Sequence, residues 1–274
     1  MKNKKNRRKD SSQELSINSN EIEKDNSPYV FQSEKINFEL SIKELPWTEK
    51  QKEIISNFLD KKTKVLLLKG PAGTSKTILS MYCGLTLLNK RRVSDLVLVR
   101  SAVESSDSKL GFLPGDIMEK FNVYLTPFHD KFSELLSKPN IDRLQKDNRL
   151  TICPINFARG LHFSAKFVCA DEVQNFSTKE LQTIMSRIGE FSKVFLCGDP
   201  EQSDLPQGKS GFSKVYDLFN NEESRENGII CMELTEADIV RSELCRFITH
   251  KFKELNVPKI EEFKKDSWKP GDHK

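Results

Sequence analysis

Residues Gly70–Thr77 read GPAGTSKT, directly after the apolar run Val65–Leu68 and just before a helical pattern. A loop of small residues between a strand and a helix turns successive backbone N–H groups toward one point, where the helix dipole adds positive potential. Gly70, Pro71, Ala72, Gly73, Thr74 and Ser75 therefore form a phosphate cradle. In it Lys76 reaches β/γ-phosphates and the Thr77 hydroxyl holds Mg²⁺. One position departs from the usual G-x-x-x-x-G-K-[ST] signature, because Ser75 stands where a second glycine is expected. Glycine permits close backbone approach and unusual torsions, so Ser75 either adopts a compatible torsion or weakens the grip on phosphate. A flexible turn between unrelated elements is the plain alternative.

Such a cradle needs an acid to hold the metal and a group to activate water. KFVCADEVQN places Asp171 and Glu172 at the C-terminal end of an apolar strand, where ligands of open α/β sheets bind. Asp171 supports Mg²⁺, directly or through water, and Glu172 is the base that orients and polarises the attacking water. An ordinary acidic turn has the same composition. The next strand delivers GDPEQSDLP, Gly198–Pro206. Gln202 is the better candidate for sensing the γ-phosphate there, since a neutral amide both accepts from water and donates to a phosphate oxygen; Asp199 is as well suited to cap or brace the loop, and a plain Gly/Pro turn is the alternative reading of the segment. Ser177 with Glu180 three residues later is a capping box, which accounts for both without chemistry.

These groups are positioned by an alternation of elements. Thr48 is an N-cap for a helix over Glu49–Leu59. Apolar runs bounded by turn residues, Val65–Leu68, Leu96–Val99, Leu150–Ile155, Phe167–Ala170, Val194–Cys197 and Ile229–Leu234, read as buried strands. Helical patterns cover Ile78–Leu88, Ile117–Leu136, Lys179–Ile188 and Gly211–Phe219, and another begins near Asp238. Strands alternating with helices predict an α/β domain with a parallel sheet covered by helices on both faces. Residues 1–33 form a polar, basic tail poor in aliphatics, residues 34–256 the domain, and residues 257–274 a charged tail.

The 274-residue chain has no run of 18 apolar residues and no apolar segment after its N-terminal MKNKKNRRKD, which predicts a cytoplasmic protein with no membrane partner. Cys83, Cys153, Cys169, Cys197, Cys231 and Cys245 lack any C-x-x-C pair and read as buried thiols in a reducing compartment. The first ten residues hold six Lys/Arg and one Asp, so the rest of the chain sums to −1 of the net +4. A basic footprint on the folded domain is not predicted; the arm itself contacts nucleic-acid phosphate non-specifically or merely solubilises the end.

Taken together the motifs resemble the PhoH family of phosphate-starvation-inducible ATPases, over roughly Pro46–Phe252. LGFLPGD at Leu110–Asp116, YLTPFHD at Tyr124–Asp130, ARG at Ala158–Gly160, DEVQN at Asp171–Asn175, GDPEQSDLP, the Ser210–Gly211 pair and DIVR at Asp238–Arg241 fall in the family's order. The resemblance implies a RecA-like P-loop NTPase core related to superfamily 1 helicases, with ATP and Mg²⁺ as ligands and RNA or single-stranded DNA as the remodelled partner. It implies that Gln51, on its own a solvent-facing helix residue, reads adenine. It also implies that Arg241, otherwise a surface salt-bridge partner, is an arginine finger or γ-phosphate sensor. An arginine supplied in trans would make a homo-oligomeric ring such as a hexamer. The chain departs from the family at Ser75, at Ser101 in place of proline, and at Val173 in place of alanine, and is similar to the short, core-only form carried by phages. A nucleotide-gated binding module with negligible turnover is the alternative function, and a small-molecule kinase a third.

Overall fold

The computed structural model describes residues 39–101, 128–158 and 160–240, together with residues 244, 247, 248 and 251. Arg159, Arg241, Cys245, the motif at 110–116, most of the 124–130 motif and the expected tails at 1–33 and 257–274 lie outside the described residues.

All six apolar runs are strands: β1 Val65–Lys69, β2 Asp95–Arg100, β3 Leu150–Pro154, β4 Lys166–Asp171, β5 Lys193–Gly198 and β6 Ile229–Glu233. They form one sheet in the order β3-β2-β4-β5-β1-β6, every neighbouring pair parallel. Alternate residues feed opposite layers. Leu66, Leu68, Leu96, Leu98, Phe167, Cys169, Phe195 and Cys197 pack in one apolar cluster, while Val65, Leu67, Val97, Val99, Val168, Ala170, Val194 and Leu196 pack in the other. With both faces covered, each central strand reads as an unbroken apolar run instead of an alternating one.

The first layer holds α1 Glu49–Leu59, α2 Lys76–Asn89, helical residues 128–135 and α3 Lys138–Lys146; the second holds α4 Ile155–Ala158, α5 Thr178–Met185 and α6 Phe212–Phe219. A short α7, Glu222–Glu226, precedes β6. The Thr48 and Ser177 capping boxes both form. Phe58 of α1 sits edge-on to Phe167 and Phe195, with ring centroids 5.9 and 5.0 Å apart. At the end of α1, Lys193 donates to the Phe58 carbonyl at 2.6 Å and to that of Asp60, and burial pushes its ammonium down to about 8. These contacts fix α1 over the sheet, with its N-terminal turn against the phosphate loop.

Several boundaries differ from expectation. The strand expected to reach Ile155 stops at Pro154, which lacks the N–H needed to continue a ladder and sits in edge strand β3. The helix expected to reach Ile188 ends at Met185, and Ile188 forms a bridge with Phe163. Asp238 itself closes a 3₁₀ turn at Glu236–Asp238, its carboxylate accepting from the Thr235 N–H and hydroxyl, while the described residues beyond it, 244, 247, 248 and 251, are helical as expected. The helices α3, α4 and α7 were not expected, since α3 buries only Ile141 and Leu144, α4 has four residues, and EESRE has no apolar face.

Gly84 shows how tightly α2 lies on the sheet, because a Cβ there would run into the Phe167 ring. Gly84→Ala is expected to lower stability by about 1–3 kcal/mol through overpacking, despite alanine's advantage of about 1 kcal/mol in helices. Urea unfolding with an unchanged m-value checks this.

Candidate nucleotide site

Three adjacent strands end at the same edge of the sheet. β1 runs into Gly70, β4 ends at Asp171, and β5, lying between them, ends at Gly198. The loops at these carboxyl ends therefore converge, as open α/β sheets require for a ligand site. Gly70 N–H donates to Gly198 O at 3.2 Å, and Val240 N–H donates to Gly73 O at 3.1 Å. The second bond brings the chain immediately before Arg241 against the cradle.

The loop takes the torsions its signature demands. Gly73 has φ +86°, and Ser75 has φ +65° and ψ +25°, so Ser75 adopts the left-handed conformation normally left to glycine. Its hydroxyl makes no capping bond to α2 that would offset this. Ser75→Gly is expected to stabilise the chain by about 1 kcal/mol, since the left-handed penalty for an L-residue of roughly 1–2 kcal/mol exceeds glycine's extra entropy loss. Denaturant midpoints of the two proteins check this. Lys76 Nζ donates to the carbonyls of Gly70 and Pro71 at 2.7 and 2.9 Å, arching over the loop. Buried Thr74 ties the turn internally through its hydroxyl to Pro71 O at 2.8 Å.

Gln51 is not solvent-facing as its helix position alone suggested. It is 1% exposed; its Oε1 accepts from Thr48 N–H at 3.0 Å and its Nε2 donates to Thr74 O at 3.2 Å. In this conformation its amide supports the cradle from behind, and contact with a base would require exchanging these bonds.

Thr77 Oγ1 donates to Asp171 Oδ1 at 2.9 Å, and Cys197 Sγ donates to the same oxygen at 3.2 Å. Burial, followed by the neighbouring Glu172 carboxylate, pushes Asp171 above the usual carboxylate range, against the pull of Arg100, Cys197 and Thr77. A buried carboxylate held beside a hydroxyl suits a divalent cation, whose charge offsets that burial cost. Mg²⁺ needs few protein ligands, because phosphate and water complete its shell. Among the described residues, no three His, Cys, Asp or Glu side chains gather as a cage.

Glu172 follows in the left-handed region, φ +53° and ψ +42°. Arg100 at the end of β2 comes within 4.0 Å of Glu172 Oε1, and Gln174 Nε2 donates to Glu172 Oε2 at 2.5 Å. Asp199 both caps and braces: Oδ1 accepts from Glu201 N–H and Oδ2 from Ala72 N–H of the cradle, each at 3.1 Å. Burial raises its carboxyl as well. The Gln202 side chain is exposed on this loop, whose backbone is held through Gln202 O by Gln174 at 3.3 Å. Lys76, Thr77, Asp171 and Glu172 thus gather around one loop with Gln202 on a neighbouring one. Gln174 and Arg100 were missed as partners of Glu172. The available signal was a glutamine two residues after the acidic pair and an arginine closing an adjacent strand.

Residues 43–253 match the family described as PhoH-like protein. A PhoH-like protein of Bacillus subtilis is 34% identical over 188 residues, covering 68% of this chain and 57% of that protein. Protein PhoH of Escherichia coli is 32% identical over 198 residues, covering 69% and 53%. The chain spans about half the length of the curated relatives it matches. Among solved structures, the large terminase from a thermophilic bacteriophage aligns with TM-score 0.45 at 11% identity, covering 77% of this chain and 50% of that one. The Pif1 helicase from Candida albicans aligns with TM-score 0.34 at 14% identity, covering 70% and 41%. The parallel α/β domain that carries the phosphate loop, the paired acids and the GDPEQ loop matches one family over most of the chain: the chain belongs to the PhoH-like protein family.

Proposed function

We propose that this protein binds ATP with Mg²⁺ at Gly70–Thr77, hydrolyses it, and uses the turnover to remodel single-stranded RNA or DNA. The observation that carries hydrolysis is the placement at the end of β4 of Asp171, bonded to Thr77, beside Glu172, held by Gln174. On binding, Lys76 exchanges the Gly70 and Pro71 carbonyls for β/γ-phosphate oxygens, and the cradle N–H groups take the remaining charge. Thr77 Oγ1 and Asp171 would hold Mg²⁺, which would supply positive charge against that developing on the phosphate oxygens. A Glu172 carboxylate oxygen accepts the proton of the attacking water. Gln202 turns its exposed amide toward that water and the γ-phosphate. Gln51 supports the loop and, on exchanging its bonds, reads adenine.

Arg241 acts as the γ-phosphate sensor. The Val240–Gly73 bond favours its acting on its own subunit's cradle. Were Arg241 supplied to a neighbouring subunit instead, a homo-oligomeric ring would follow; light scattering with ATP and Mg²⁺ tests this, and a monomer would exclude the ring.

The nucleic-acid partner is supported by family membership and by the six Lys/Arg among the first ten residues. Hydrolysis measured with and without single-stranded RNA and DNA, for the full chain and for one lacking residues 1–33, tests this. Stimulation by one of the two is expected, reduced in the shortened chain if the arm contributes. Equal rates in all conditions overturn the coupling. The strained Ser75 favours a second reading, a nucleotide-gated module that binds ATP without turnover; bound ATP with no phosphate release would establish it.

A further inference from the structure

We propose that Gln174 is the positioning residue of the hydrolytic centre: its amide holds the Glu172 carboxylate and ties it, through Asp199, to the phosphate cradle. This rests on the ATPase reading above.

Gln174 is 1% exposed and lies in the 3₁₀ turn Val173–Asn175. Its Nε2 donates to Glu172 Oε2 at 2.5 Å and to Gln202 O at 3.3 Å, while its Oε1 accepts from Asp199 N–H at 3.0 Å. Asp199 Oδ2 in turn accepts from Ala72 N–H at 3.1 Å. One line of contacts therefore runs from the cradle at Ala72, through Asp199 and Gln174, to the base. The partners leave no choice of amide orientation, since a carboxylate and a carbonyl face one end and an N–H faces the other. A glutamate here has no donor for Glu172, and a hydrocarbon has neither donor nor acceptor.

Two features of the backbone are arranged around this amide. Gly198 makes room for it, because a Cβ there would stand 2.6 Å from Gln174 Oε1 and 3.0 Å from Gln174 N. Glu172 sits at φ +53°, a conformation that persists in a non-glycine residue where surrounding contacts over-determine it. Gln174 supplies such a contact at the carboxylate, at 2.5 Å against 4.0 Å for Arg100.

Tying the two loops together does not need this amide. Asn175 Nδ2 donates to Asp204 Oδ2 and Asp204 N–H to Asn175 Oδ1, both at 2.8 Å, and Ser203 Oγ donates to the Gln174 carbonyl at 3.0 Å. Removing the Gln174 side-chain amide leaves all three bonds. What it removes is the fixed position of a base that must lie within hydrogen-bond reach of water, where a displacement of about 1 Å costs ~100-fold in rate.

The test replaces Gln174 by methionine, which keeps the length and removes both hydrogen-bonding functions. At a temperature where the variant is fully folded, kcat for ATP is expected to fall roughly 10–100-fold, with affinity for a non-hydrolysable ATP analogue within about threefold. Gly198→Ala, which crowds the amide from the opposite side, is expected to produce the same split. Asp204→Ala, which breaks a loop tie without touching Glu172, is expected to lower the melting temperature and leave kcat within about threefold.

The contact also has a readout without turnover. Gln174→Glu is expected to lower the melting temperature by opposing two carboxylates, and adding Glu172→Gln to that chain to restore it. A Gln174→Met protein with unaltered kcat overturns the proposal. So does a loss of kcat and analogue affinity in equal measure, and so does a swap that restores nothing. If the unaltered chain releases no phosphate while the swap does restore melting, the contact stands and the ATPase reading fails.

Discussion

Glu172→Gln is expected to lower the rate of phosphate release at least about 100-fold and to leave ATP affinity within about threefold. The split follows from what Glu172 touches. Its carboxylate is contacted by Gln174 and approached by Arg100, while the cradle is built from other residues. Glutamine has the same shape, and its carbonyl oxygen still accepts from Gln174 Nε2, so the local arrangement survives. What disappears is a group able to take a proton from water. Steady-state phosphate release gives kcat, and titration of a non-hydrolysable analogue gives affinity. A kcat within about threefold of the unaltered chain would remove Glu172 from the base role.

Lys76→Met is expected to act on the other side of that split, weakening ATP binding by roughly 10–100-fold or more. An ammonium bonded to phosphate oxygens makes charge-assisted hydrogen bonds of about 1.5–3 kcal/mol each, and methionine supplies none. Stability should change little. Lys76 is only half-buried, and the Gly70 and Pro71 carbonyls it leaves can turn to water. Calorimetric titration with an ATP analogue, together with the melting temperature, checks both parts. Unchanged affinity would mean that phosphate does not sit in this loop.

Much of this site was legible because its physics is local. The six strands showed as apolar runs since both faces of the sheet are covered, which makes Leu66 and Leu67 equally buried although they point to opposite layers. The cradle showed as a run of small residues followed by Lys76 and Thr77, and the paired acids as a strand end. Ser75 posed two outcomes, and its left-handed torsion settles the first of them.

The strand order was not legible, and the missed contacts follow from it. Gln174 meets Asp199 because β5 lies beside β4, and Asp199 meets Ala72 because β5 also lies beside β1. No spacing along the chain encodes either pairing. Gln51 misled for a related reason: its neighbours Lys50 and Lys52 are charged and partly or fully exposed, yet its own face of α1 turns onto Thr74. The helices α3 and α7 stayed hidden because little or no apolar surface marks them.

The most direct test of the central claim is phosphate release from ATP by the unaltered chain, with Mg²⁺ and with the metal chelated. The placement of Lys76, Thr77, Asp171 and Glu172 predicts repeated turnovers per chain that require Mg²⁺. Saturable ATP binding with no phosphate released above the chelated control would contradict it and leave a nucleotide-gated binding module in its place.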